Sequence, residues 1–170
     1  MLEVIKSRRA CRKFDSRPVE KNKIEEIVNA GLLAPSGMNR QTPVIIAISD
    51  KETRDILAKY NNDIIGGKFP DPFYGAPVVL LVIANKDGLS VHDGAATIEN
   101  MLLEATNQGL GSCWIHRAEE EIKMPEVREL LSFTGLNFDE FIGIGHVIVG
   151  YSLMEQYPEK IIKGGRAIYK

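Results

Sequence analysis

Residues 77–84, PVVLLVIA, are apolar without interruption. A surface helix of that length would carry polar residues on one side, and a half-exposed strand would alternate. An unbroken run bounded by turn residues reads instead as a strand buried on both faces. The sheet that holds it must therefore be covered above and below, and the rest of the chain has to supply the covers. Residues 21–33 place Ile24, Ile27, Val28 and Leu32 at helical spacing, and the helix ends at Ala34-Pro35-Ser36-Gly37. Residues 92–108 form a longer helix whose stripe is Ala95, Ile98, Met101, Leu102 and Ala105, widened by Ala96 and Leu103. So broad an apolar face belongs at the centre of the molecule or in a subunit interface.

Three more strands are expected: the β-branched stretch 43–48, SCWI at 112–115, and a third apolar run at 140–150 centred on IGIGHVIVG. A short helix at 2–8 precedes a connector at 9–19. Ser49 to Glu52 fits a capping box opening a helix to about Tyr60. Residues 119–131 read as a helix broken or restarted at Pro125. Residues 61–75 are polar, with Gly66-Gly67 and two prolines, and read as a mobile loop over a site, with Phe73 and Tyr74 as lids or as surface packing. The last twenty residues lack periodicity and read as an arm. One domain covers 1–170, of α+β class: a mixed sheet flanked by helices.

Charge is distributed unevenly. The net charge is −2, yet residues 1–17 carry +4 and residues 160–170 carry +4, which leaves −10 for the middle. Two cationic ends on an acidic body suit one compact anion if the fold joins them. A nucleic-acid binder shows a broader basic surface, so no nucleic-acid partner is expected. No run of eighteen apolar residues or secretory leader is seen, so a cytoplasmic protein without a membrane partner is expected. Cys11 and Cys113 read as free thiols, and the cationic neighbours of Cys11 mark it as the more reactive. No metal-ligand spacing occurs. Of the three histidines, His146 lies within an apolar strand and reads as structural, whereas His116 is the one to test.

Arginines 8, 9 and 12 in SRRACRKF (7–14) present guanidinium donors that match phosphate oxygens in pairs. No G-x-x-x-x-G-K-[ST] loop or G-x-G-x-x-G turn exists, so side chains must hold any nucleotide. APSGMNRQ (34–41) is a helix-ending turn that also offers the amides of Asn39 and Gln41, which can pair with a heterocycle edge.

Four blocks, SRRACRKF, APSGMNRQ, GAATIENMLLEATNQGLGSCWI (94–115) and FIGIGHVIVGYS (141–152), together resemble the FMN-dependent nitroreductase family over nearly the whole chain. The resemblance implies an intertwined homodimer with two FMN sites at the subunit interface. It implies Arg8 and Arg9 on the phosphate and ribityl side, and Arg12 near the pyrimidine edge. Pro35, Ser36, Gly37 and Asn39 would reach the flavin from the other subunit. Ser112, Cys113, Trp114, Ile115 and His116 would form the strand end beside the flavin, with a backbone N–H near His116 approaching N5. Lys163 or Arg166 would be a second phosphate clamp. No side chain is implied as catalytic, because flavin N5 carries the chemistry. The expected activity passes reducing equivalents from NADH or NADPH to a nitroaromatic, quinone or similar flat acceptor by ping-pong kinetics. A flavin carrier or sensor without turnover is the alternative. The chain departs from the family pattern at Ala10, usually Ser, at Thr42-Pro43, often Pro-Trp, and at the bulky pair His116-Arg117.

Overall fold

The computed structural model describes residues 1–170. Its elements are α1 (Glu3–Ser7), α2 (Lys21–Leu32), β1 (Val44–Ile48), α3 (Lys51–Ile64), β2 (Val78–Asn85), α4 (Ser90–Asn107), β3 (Gly111–Ile115), α5 (Ala118–Glu121), α6 (Pro125–Leu130) and β4 (Phe141–Gly150). The strands lie in the order β1-β2-β4-β3, and every pair in the sheet is antiparallel. The sheet is thus antiparallel rather than mixed, and the one parallel contact is an isolated bridge between Ala10 and Ser112 beside β3.

β2 is the strand that the apolar run announced, with Val78 to Ala84 all buried. Val79, Leu81 and Ile83 face Leu57 of α3, Ala118 of α5 and Val127 of α6. Val78, Leu80 and Val82 face Ile27 of α2 and Ile98, Met101, Leu102 and Ala105 of α4. The strand pattern thus fixes a three-layer arrangement, with a buried apolar core on each side of one sheet. Ile98, Met101 and Ala105 have no exposure, while Ala95, Ala96 and Leu103 are half-buried.

Close approach explains the Gly-x-Gly of β4. A Cβ on Gly143 would sit 2.2 Å from the backbone carbon and oxygen of Ala118, and one on Gly145 would sit 2.2 Å from Trp114 Nε1. These glycines let α5 and the indole lie against the sheet. The ladder slips between Val82 and Ile83, so Ile144 is an extra residue and packs into the α2/α4 core.

The expectations for α3 and for the 61–75 segment need correction. The cap of α3 is Asp50, one residue later than the proposed box, and its carboxylate accepts the Thr53 N–H at 2.8 Å. That helix also continues to Ile64, because Asn61 is buried and bonded rather than in a loop. Asp71 ties the rest of the supposed loop. Its carboxylate accepts the N–H groups of Phe73 and Gly75 at 2.8 and 2.7 Å and pairs with the buried Arg54 guanidinium, whose Nε donates to the Ala76 carbonyl at 3.0 Å. Phe73 is fully buried, tilted against His146 at 5.3 Å, and so is core rather than lid.

Candidate functional site

β3 ends at the mouth of an open cavity of about 200 Å3, lined by Arg12, Asn61, Tyr74, Trp114, Ile115 and His116, with Cys113 and Arg117 alongside. Each comes from a different device. The connector that follows α1 runs along β3 and is held by the Cys11 N–H donating to the Ser112 carbonyl at 2.9 Å; this delivers Arg12. Alternation along β3 sends Cys113 and Ile115 to the α3/α5/α6 side and Trp114 to the other. Trp114 and His116 then stack, with centroids 6.1 Å apart and planes at 29°. Arg117 follows in the left-handed region with φ of 82°.

The non-glycine residues with positive φ are Met38, Asn39, Gln41, Tyr74 and Arg117. All five fall in the 34–41 turn or at this cavity. Such conformations cost on the order of 1–3 kcal/mol each and are kept where the surroundings impose them, commonly at ligand sites. The turn is built by its own groups. Ser36 Oγ accepts the Gln41 N–H at 2.9 Å, Gln41 Nε2 donates to Asn39 Oδ1 at 3.0 Å, and Gly37 N–H donates to buried Asp93 at 3.0 Å. Within this chain, Pro35 and Ser36 line a second cavity, of about 160 Å3, with Thr97 and Pro43. The structure therefore does not join the turn to Arg12 and His116 in one protomer.

The base of the C-terminal arm approaches the cationic N-terminal segment. Residues 151–158 return along the connector: Leu153 N–H donates to the Lys13 carbonyl at 2.9 Å, and Arg9 Nε donates to the Pro158 carbonyl at 3.1 Å. Arg8 is half-buried and faces Glu99 at 3.8 Å. Arg12 is exposed, and Lys163 and Arg166 lie fully in the open on the arm. Ser112 is buried and does not line the cavity; its hydroxyl has no partner.

Cys11 is fully enclosed, with Sγ 3.4 Å from Ser152 Oγ, so the expectation of a reactive thiol is overturned by packing. Burial also pushes the Cys113 thiol up, against the lowering pull of Arg12 and Arg8. His146 is structural, as expected from its place in the strand. Beneath the cavity lies a pair that the order of residues does not reveal. Glu121 and His146, both without exposure, face each other at 2.7 Å between Oε2 and Nε2. Their orientation falls short of a hydrogen bond, and His146 Nδ1 is unpartnered.

The model of the nitroreductase family matches residues 5–151. The chain belongs to the nitroreductase family. The nitroreductase with bound FMN from Bacteroides fragilis NCTC 9343 superimposes with a TM-score of 0.90 at 28% identity, over 99% of this chain and 97% of that one. A protein of Archaeoglobus fulgidus assigned by name to the NADH dehydrogenase/NAD(P)H nitroreductases is 32% identical over 136 residues, 76% of this chain and 75% of that protein. The FMN reductase [NAD(P)H] of Bacillus subtilis is 30% identical over 169 residues, 96% of this chain and 59% of that protein. The nitroreductase sheet, with β3 at its edge and the connector beside it, is thus the setting of the cavity. No helix is long and apolar enough to cross a membrane.

Proposed function

We infer that this chain is an NAD(P)H-dependent FMN oxidoreductase that works as a homodimer. The observation that carries the reading is the convergence of Arg12, the Trp114–His116 stack and the left-handed Arg117 on one open cavity, in a chain of this family. The donor set fits FMN. Arg8, Arg9 and Arg12, with Lys163 or Arg166 on the arm, would hold the phosphate and the electron-rich edge of the ring. Ser112 to His116 would flank the ring. Ligand pockets usually enclose roughly 300–1,000 Å3, more than the cavity of about 200 Å3 here. A second protomer would supply the missing wall through Pro35, Ser36, Gly37 and Asn39. Large apolar side chains stand exposed at and just before α1 (Leu2, Ile5), on the 32–38 segment (Leu32, Leu33, Met38) and on the arm (Ile161, Ile162, Ile168), as an intertwined pair requires.

When bound, FMN supplies hydride acceptance and return. The chain's residues would then bind, orient and tune: Arg12 would place positive charge near the reduced ring, and the open mouth would admit a flat donor or acceptor. Nicotinamide and a nitroaromatic, quinone or similar acceptor would share that face in turn, which gives ping-pong kinetics. The visible spectrum tests this reading. Purified or FMN-supplemented protein should be yellow, bleach with NADH or NADPH without oxygen, and recolour with a nitroaromatic. Protein that takes up no FMN would overturn it, and bound flavin that neither nucleotide reduces would make the chain a carrier or sensor.

A further inference from the structure

Asn61 sits at the cavity wall near the C-terminal end of α3, and its side-chain nitrogen meets two acceptors. Nδ2 donates to the His116 carbonyl at 2.8 Å and to Glu121 Oε1. Both N–H bonds of the amide are thereby used, and two acceptors on one side fix which way the amide points. Glu121 is fully buried, as is its neighbour His146 on β4. A buried carboxyl group needs hydrogen-bond partners. Asn61 donates to Oε1, and Oε2 faces His146 Nε2 at 2.7 Å. The three residues belong to α3, α5 and β4, and all converge behind one peptide, His116–Arg117, at the end of β3.

We propose that Glu121 is a positioning residue for the site: acting through Asn61, it anchors the His116 carbonyl and so holds the left-handed Arg117 corner at the cavity wall. Without the carboxylate, the Asn61 amide is free to rotate. The His116 carbonyl then loses its donor and the strained corner relaxes. Gln at position 121 keeps an oxygen for Asn61, whereas Leu does not. The same corner starts α5, where Glu121 N–H bonds the Arg117 carbonyl at 3.0 Å and Ile122 N–H bonds the Ala118 carbonyl at 3.1 Å. Those amides report on it directly.

The proposal rests on the flavin reading for its consequence but can be measured without flavin. Amide hydrogen exchange on flavin-free N61A, E121L and E121Q reads the anchor. Segment 115–122 should exchange about tenfold faster in N61A and E121L, with β2 unchanged, and E121Q should recover most of the loss. FMN titration should show about tenfold weaker binding in the same two variants, and a double N61A/E121L variant no weaker than either alone. Wild-type exchange in folded E121L would overturn the proposal, as would acceleration spread equally into β2. If E121L does not fold, N61A and E121Q decide: the proposal stands when only N61A loosens the segment and falls otherwise. Wild-type protein that takes up no FMN defeats the proposed function and leaves the exchange result to judge the anchor.

Discussion

Gly143 carries a sharp test of the packing. Adding one methyl group there drives it to 2.2 Å from the Ala118 backbone, and backbone at a helix start cannot step aside as a side-chain tip can. G143A should cost about 3 kcal/mol and lower the Tm by roughly 10 °C in thermal denaturation. G164A, where nothing lies within 4 Å, should leave the Tm unchanged. Equal stability of the two variants would show that α5 does not press on the sheet as described. Single residues were also where the sequence was least legible. SRRACRKF pointed to Arg12, and SCWI led to Trp114 and His116. Glu121 and His146 could not be paired in advance, because 25 positions and a change of element separate them, and Asn61 was hidden in a stretch that looked like loop. Cys11 misled for a related reason: charged sequence neighbours say nothing about whether the sulfur itself is enclosed.

Strands and helix cores were readable, and element ends were not. An apolar run needs no partner to reveal itself, so β2 and β4 were placed to within a residue or two, and Pro125 correctly marked a restart at α6. Ends depend on which side chain satisfies the free N–H groups, and at α3 two neighbours, Ser49 and Asp50, could each do it. The structure chooses Asp50, whose carboxyl is held below its usual range chiefly by the Thr53 backbone N–H. A carboxyl depressed in the folded state stabilises above its unfolded value, near 3.8, and loses that contribution as pH falls through the lower folded value. D50A should therefore lower the Tm by a few degrees at pH 7, with the gap to wild type closing in the acid range, while S49A should have no effect. Melting curves from pH 7 down to pH 2 check this; a gap that persists at the acid end would assign the loss to something other than the charged cap.

The assembly is tested by the arm. Beyond Pro158 every residue is exposed in one chain, so removing 159–170 should leave the protomer folded with little change in Tm. If Lys163 or Arg166 clamps a phosphate, that charge-assisted bond contributes roughly 1.5 kcal/mol or more, and the truncated protein should bind FMN more weakly by on the order of tenfold or more. Its affinity should also depend less on salt. Flavin fluorescence titration reads this, alongside sedimentation, in which the full chain should run at twice 18.9 kDa. Undiminished affinity after truncation would remove the arm from the site.

β1 has a pairing partner on one side only. Its sequence, VIIAI, is uncharged, with Pro43 just before it and exposed Ala47 within it. An open, apolar edge of that kind is a template on which a misaligned copy of the same segment can add as an extra strand. The feature that completes the hydrogen-bonded sheet on one flank thus leaves the opposite flank as the place where heated or concentrated protein would begin to aggregate.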